Sequence, residues 1–195
     1  MQKRAFIIHG WDGYPEEARF PWLKEELEKN GFTVAVPAMP QPDEPTIETW
    51  VPKLAEVVGE PDERTYLVGH SMGCQTILRY LAGLEGKKIG GIVLVAGFFE
   101  LRPLETEDEE RILEPWIETQ IDFAKVRAAT GNITAIFSDN DPWVPLEKNI
   151  ELFKKNIGED ITVITEHDKQ HFSESSGITE LPSAREAILA HAAHT

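Results

Sequence analysis

Apolar positions along the chain fall into two kinds of run. Short, nearly continuous stretches rich in β-branched residues lie at Arg4–His9, Thr33–Val36, Thr65–Val68, Gly91–Ala96, Asn132–Phe137 and Ile161–Thr165, and they read as strands. Their lack of strict alternation predicts coverage on both faces, as in a parallel sheet between helical layers. Between them lie segments with apolar residues at helical spacing. These are Glu16–Asn30, closed by Gly31; Thr46–Val58, after a Pro-rich loop; Ser71–Leu84, with Ile77, Leu78, Leu81 and Leu84 on one stripe; Leu146–Asn156; and Pro182–Ala193. The alternation predicts a three-layer α/β fold with right-handed crossovers and a mostly parallel central sheet of about six strands. With no internal repeat, linker or low-complexity tract, one domain over residues 1–195 is expected.

Phe98–Ala129 breaks the rhythm with FFELRPLETEDEERILEPWIETQIDF. Its acidic run, Glu105 to Glu110, reads most simply as a solvated helix face. The functional alternative is a short lid over a pocket, with Phe98, Phe99, Trp116 and Phe123 facing inward.

The most informative stretch is TYLVGHSMGCQTILRYL, where Gly69-His70-Ser71-Met72-Gly73 follows an apolar strand and opens an amphipathic helix. The G-x-S-x-G letters are weak evidence by themselves; the strand-to-helix context strengthens them. A strand reversing sharply into a helix forces the turn residue into a strained backbone, and the positions two before and two after come too close for side chains. The serine then projects above the sheet at a helix N-terminus, where developing negative charge is favoured. The plainer alternative makes Ser71 a helix N-cap.

A serine hydroxyl needs a base within hydrogen-bond reach, itself oriented by a carboxylate. On such a fold these follow in the order Ser, Asp, His. The strand NITAIF leads into Ser138-Asp139-Asn140-Asp141-Pro142-Trp143-Val144-Pro145, and ITVIT into Glu166-His167-Asp168-Lys169-Gln170-His171-Phe172. Asp141 is favoured over Asp139 because it opens the turn into the next helix, whereas Asp139 can serve turn amides. His171 is favoured over His167 because it sits deeper in its loop, beside Phe172. His167 and His171 also have the i, i+4 spacing a metal uses, but no third ligand beyond Asp168 and no HExxH pattern accompany them, so no metal is expected.

The first strand runs into His9-Gly10-Trp11-Asp12-Gly13. The backbone N–H of Trp11, paired with that of Met72, is the expected oxyanion hole for a reacting carbonyl. His9 reads as a brace for this loop, His70 as a turn residue of unassigned direction, and Cys74 as a core helix residue. Trp22 and Trp50 read as packing residues. The glycines at 83, 86, 90 and 91 fit neither a dinucleotide fingerprint nor a phosphate loop, so no cofactor is expected.

Composition narrows the partners. Nineteen basic residues against 34 acidic ones leave a net charge of −15, which disfavours nucleic acid and anionic membrane surfaces. A single Cys excludes an internal disulfide framework. In the opening MQKRAFIIHGW the apolar run is too short for a secretory signal, and no stretch reaches the roughly 20 apolar residues of a membrane span. A cytoplasmic protein acting on a small-molecule substrate is expected, with any protein partner left open.

Together FIIHGWDG, PWLKEEL, PAMPQPDEPTIETWVPKL, YLVGHSMGCQTILRYL, GIVLVAGF, SDNDPWVP and the final HF resemble the small serine hydrolases related to retinoblastoma-binding protein nine, a cap-poor branch of the α/β-hydrolase superfamily. The similarity spans nearly the whole chain. It implies a Ser–Asp–His triad, falling on Ser71, Asp141 and His171. Relatives usually carry Gly before the catalytic His; this chain has Gln170. The expected activity is cofactor-independent hydrolysis of small carboxylic esters, ahead of amides or thioesters, through an acyl-enzyme that loses activity in acid as His171 is protonated. The alternative is a non-catalytic binding or regulatory protein on the same scaffold.

Overall fold

The computed structural model describes residues 2–17 and 19–193. Met1 of the opening run, Ala18 of the first expected helix and the last two residues of the expected 1–195 domain lie outside the described residues. Among the described residues six strands form one sheet: β1 (Lys3–Ile8), β2 (Phe32–Ala35), β3 (Thr65–His70), β4 (Gly91–Val95), β5 (Ile133–Ser138) and β6 (Thr162–Glu166). Their order is β2-β1-β3-β4-β5-β6, and all five pairings are parallel. The central strands β3, β4 and β5 are buried along their whole length, which is why they read as unbroken apolar runs. The edge strands β2 and β6 retain exposed positions.

Alternate residues of each strand serve opposite layers, as the pleat requires. Phe6 and Ile8 of β1, Leu67 of β3, and Ile92 and Leu94 of β4 join one core. Ala5, Ile7, Tyr66, Val68, Val93 and Val95 join the other. The first core is covered by α2 (Ile47–Val58), α3 (Met72–Ala82), α4 (Glu107–Glu118), α5 (Phe123–Ala129) and α6 (Leu146–Ile157). The second is covered by α1 (Arg19–Lys29) and α7 (Pro182–Ala193). This is the three-layer arrangement expected, with the sheet wholly parallel rather than mostly so. Among the described residues no helix is long and apolar enough to cross a membrane.

The first helix differs from expectation in beginning at Arg19 rather than Glu16. Residues Tyr14 to Glu17 form a turn instead, closed by the Glu17 N–H donating to the Tyr14 carbonyl at 3.2 Å. Ser71 likewise stands outside its helix, because its backbone is left-handed. In the Phe98–Ala129 insert the acidic run proves to be a helix start. Thr106 and Glu109 form a reciprocal capping box, and Glu107 to Glu110 fill the first turn of α4, at the positive end of its dipole. Phe98 and Trp116 are buried, while Phe99 and Phe123 meet edge to face at 5.4 Å. The Trp116 indole N–H donates to the Pro45 carbonyl at 3.0 Å, tying the insert to the loop before α2.

Candidate active site

In a parallel sheet the strand order reverses where the chain leaves β1 for β2 on one side and returns as β3 on the other. Crevices form beyond the carboxyl ends of the strands at that point. Ser71 follows β3 there, and the Gly10–Trp11 loop follows β1 beside it. Asp141 and His171 follow β5 and β6.

The turn at Ser71 has φ 52° and ψ −118°, a conformation that costs a non-glycine residue of order 1–3 kcal/mol and persists only where surroundings enforce it. The Ser71 N–H is held by the Val95 carbonyl at 2.9 Å. The flanking glycines answer a steric need. A Cβ on Gly69 would come to 2.8 Å from the Cys74 nitrogen, and one on Gly73 to 2.7 Å from the His9 carbonyl oxygen. A Cβ on Gly10 would meet the Ser71 Cβ at 3.0 Å, so the β1 loop passes directly beside the serine.

His171 Nε2 lies 2.9 Å from Ser71 Oγ, and its Nδ1 lies 2.8 Å from Asp141 Oδ2. The other Asp141 oxygen accepts the N–H groups of Trp143 and Val144 at 2.9 and 3.0 Å. An ionised carboxylate only accepts, so Nδ1 of His171 carries its proton and Nε2 is left to accept from the serine hydroxyl. The Trp143 ring stands edge-on to the imidazole at 4.9 Å. Ser71 and His171 border a cavity of about 640 Å³, which Trp11, Leu101, Leu104 and Ile112 also line.

The serine hydrolase family profile matches residues 5–190, nearly the whole chain. This chain belongs to the serine hydrolase family. YdeN of Bacillus subtilis is 31% identical over 194 residues, covering 98% of this chain and 97% of that protein. The rat serine hydrolase RBBP9 is 26% identical over 145 residues, covering 74% of this chain and 69% of its own. The crystal structure of the ydeN gene product superposes with a TM-score of 0.87 at 30% identity, over 98% of this chain and 99% of that one. Est1E from Butyrivibrio proteoclasticus, solved with ferulic acid bound, shares the fold at a TM-score of 0.75 and 18% identity, over 98% and 90% of the two chains. The architecture is therefore that of the α/β-hydrolases, without a large cap.

In this serine hydrolase Asp139 and His167 stand apart from Ser71. They pair with each other at 2.6 Å on the surface, and Asp139 also accepts the Asp168 N–H. His9 is buried as a brace. The Met39 N–H donates to its Nε2 at 3.1 Å, so its Nδ1–H donates to the Gly10 carbonyl at 2.8 Å. Burial pushes the His9 imidazole below its ordinary value, favouring this neutral form. Cys74 is buried against the Val95 carbonyl, and burial pushes its thiol far up, away from reactivity. Two groups were missed at the level of sequence. Arg102, in the insert, donates to the Asp141 carbonyl oxygen at 2.6 Å, while its own N–H donates to the Trp143 carbonyl. His70, whose direction the letters left open, aims Nε2 at the main-chain oxygen of His171, 2.7 Å away. A surface-looking arginine and a turn histidine carry no local pattern that names a partner 39 or 101 residues distant.

Gln170 holds φ 46°, left-handed backbone that glycine adopts without strain. A glycine, which the family resemblance implies at this place, would hold that backbone without strain. Here the conformation is enforced: the Gln170 N–H donates to Asn140 Oδ1 at 2.8 Å, and the Lys169 N–H to Ser138 Oγ at 3.0 Å.

Proposed function

We propose that this serine hydrolase cleaves small carboxylic esters through a covalent acyl-Ser71 intermediate. The observation that carries the reading is the unbroken hydrogen-bond chain from Asp141 through His171 to Ser71, opening on the cavity. His171 Nε2 takes the Ser71 proton as Oγ attacks the carbonyl carbon, and Asp141 steadies the imidazolium that results. The oxyanion is met by the N–H groups of Trp11 and Met72. His171 then returns the proton to the departing alkoxide. A water attacks the acyl group, gives its proton to His171, and the acid leaves as Ser71 is reprotonated. One ester and one water become one acid and one alcohol.

The cavity wall adds a substrate preference. Leu101, Leu104, Ile112 and Trp143 offer apolar surface, while Asp12, Glu17, Asp43, Glu105, Asp108 and Glu109 contribute carboxylates; among the described residues no Lys or Arg lines it. Neutral or cationic esters with an apolar acyl group suit such a wall, and ester substrates bearing a second carboxylate do not.

Ser71→Ala tests the reaction. Turnover of a nitrophenyl ester should fall by at least about a thousandfold and fluorophosphonate labelling should vanish, with thermal unfolding unchanged. Labelling that survives the substitution sinks the assignment. A matched pair of esters, with and without a terminal carboxylate on the acyl chain, tests the preference. The neutral ester should lead by about tenfold at low salt, and the gap should narrow as salt rises.

A further inference from the structure

His70 is the last residue of β3, next to Ser71, and the reaction above makes no use of it. The ring is buried, edge-on to His171 at 5.0 Å and to Phe20 at 6.3 Å. Its Nδ1 lies 3.1 Å from Nη2 of Arg19, and its Nε2 lies 2.7 Å from the His171 carbonyl oxygen. A guanidinium has donors only, so Nδ1 must accept. The one proton of the neutral ring then sits on Nε2 and is donated to the His171 carbonyl. Arg19 has no exposed surface, and Glu17 pairs with it at 2.5 Å.

We propose that Arg19 and His70 are a positioning pair: Arg19 fixes the His70 tautomer, and His70 sets the main chain at residue 171, hence the reach of that imidazole to Ser71. The pair acts on the site through backbone rather than on substrate. Its catalytic consequence rests on the roles proposed above for Ser71 and His171.

The loop it holds is one that needs holding. Asp168, Gln170 and Phe172 have φ of 56°, 46° and 53°, so left-handed residues lie on both sides of His171. Each is strained in a non-glycine residue, and such backbone keeps its shape only while its tethers do. Asp139, Ser138 and Asn140 tether the N–H groups of residues 168, 169 and 170, and His70 tethers the carbonyl of 171. The charged and titratable groups acting on His70 are Arg19 from α1, His171 from the β6 loop and His9 at the end of β1. Burial first, and then the Arg19 cation, hold the ring well below its ordinary value of 6.5. The neutral ring therefore keeps its Nε2 proton for the His171 carbonyl.

Three variants of the whole chain, assayed on a neutral nitrophenyl ester, test the pair. His70→Phe keeps a ring and loses both hydrogen bonds; kcat should fall about 10- to 100-fold with KM within about twofold. His70→Gln keeps an amide N–H for the 171 carbonyl and should recover most of the loss. Arg19→Met should fall between them. Independently of turnover, ¹⁵N NMR of the wild type should show His70 protonated at Nε2 and titrating well below 6.5, and Arg19→Met should move that titration upward while burial still holds it below 6.5. Wild-type kcat in folded His70→Phe, equal losses in the Phe and Gln variants, or an Nδ1–H tautomer would overturn the proposal. An inert wild type would instead sink the catalytic reading, and the tautomer measurement would still decide whether the pair exists.

Discussion

Two Asp–His pairs are strung between the same two loops of this hydrolase, and they differ in nearly everything but composition. Asp139–His167 spans 28 residues at 2.6 Å; Asp141–His171 spans 30 at 2.8 Å. In the first the imidazole is 85% exposed; in the second the side chains are 10% and 2% exposed. The surface pair is the shorter, yet it touches nothing that reacts. The buried pair has its carboxylate saturated by two backbone N–H groups and its second nitrogen turned to a serine. Distance within a pair is thus a poor guide to its use; what the far nitrogen faces decides.

The largest separation between the pairs should come from removing each carboxylate's charge. Asp141→Asn should lower kcat by about 10⁴, because the amide favours the wrong tautomer of His171. Kinetics on a neutral ester, beside a circular-dichroism check of folding, measures it; a loss below tenfold would remove Asp141 from the mechanism.

Gln170 lies between the two imidazoles, and changing it should move stability without choosing between the pairs. Gln170→Gly relieves the left-handed strain and should raise unfolding stability by about 1 kcal/mol in urea titration. A fall in stability would mean the Gln170 side chain, whose amide oxygen accepts from Ser176 at 3.2 Å, outweighs the backbone term.

The smallest effect belongs to the exposed pair. Hydrogen bonding to Asp139, then its charge, raises the His167 imidazole above 6.5, and hydrogen bonding to His167 holds the Asp139 carboxyl below 3.8. A raised imidazole stabilises the fold fully below about 6.5 and stops doing so as pH climbs through its raised value. A lowered carboxyl stabilises above about 3.8 and stops as pH falls through its lowered value. The pair therefore contributes only between those two limits. Asp139→Asn should bring His167 back towards 6.5 by NMR titration and change kcat by less than about twofold. A loss rivalling that of Asp141→Asn would erase the distinction between the pairs.

Much of this was legible in the letters, for physical reasons. Strands buried on both faces must be apolar throughout, which is why β3, β4 and β5 stood out; the runs placed all six strands to within two residues at each end. A sharp elbow excludes Cβ atoms on either side, so Gly69 and Gly73 marked Ser71. Loops closing successive strands must converge at one end of a parallel sheet, which brought Asp141 and His171 into view. What stayed hidden depended on distant partners or on short lengths. Helix α5 has seven residues, too few for a period to declare itself. Arg19 looks like an ordinary first-turn residue of an amphipathic helix until the fold buries it against His70. Arg102 sits in an insert whose course over Asp141 no local rule supplies.

His171, proposed above as the proton acceptor, hangs from the outermost strand. Among the described residues β6 pairs only with β5 and leaves part of its length to solvent, whereas β3, which delivers Ser71, is enclosed from end to end. Fraying of one margin would unhook the imidazole while the hydroxyl stayed in its mould. On warming, this enzyme should fall silent before it melts, and regain its voice on cooling as that margin zips closed.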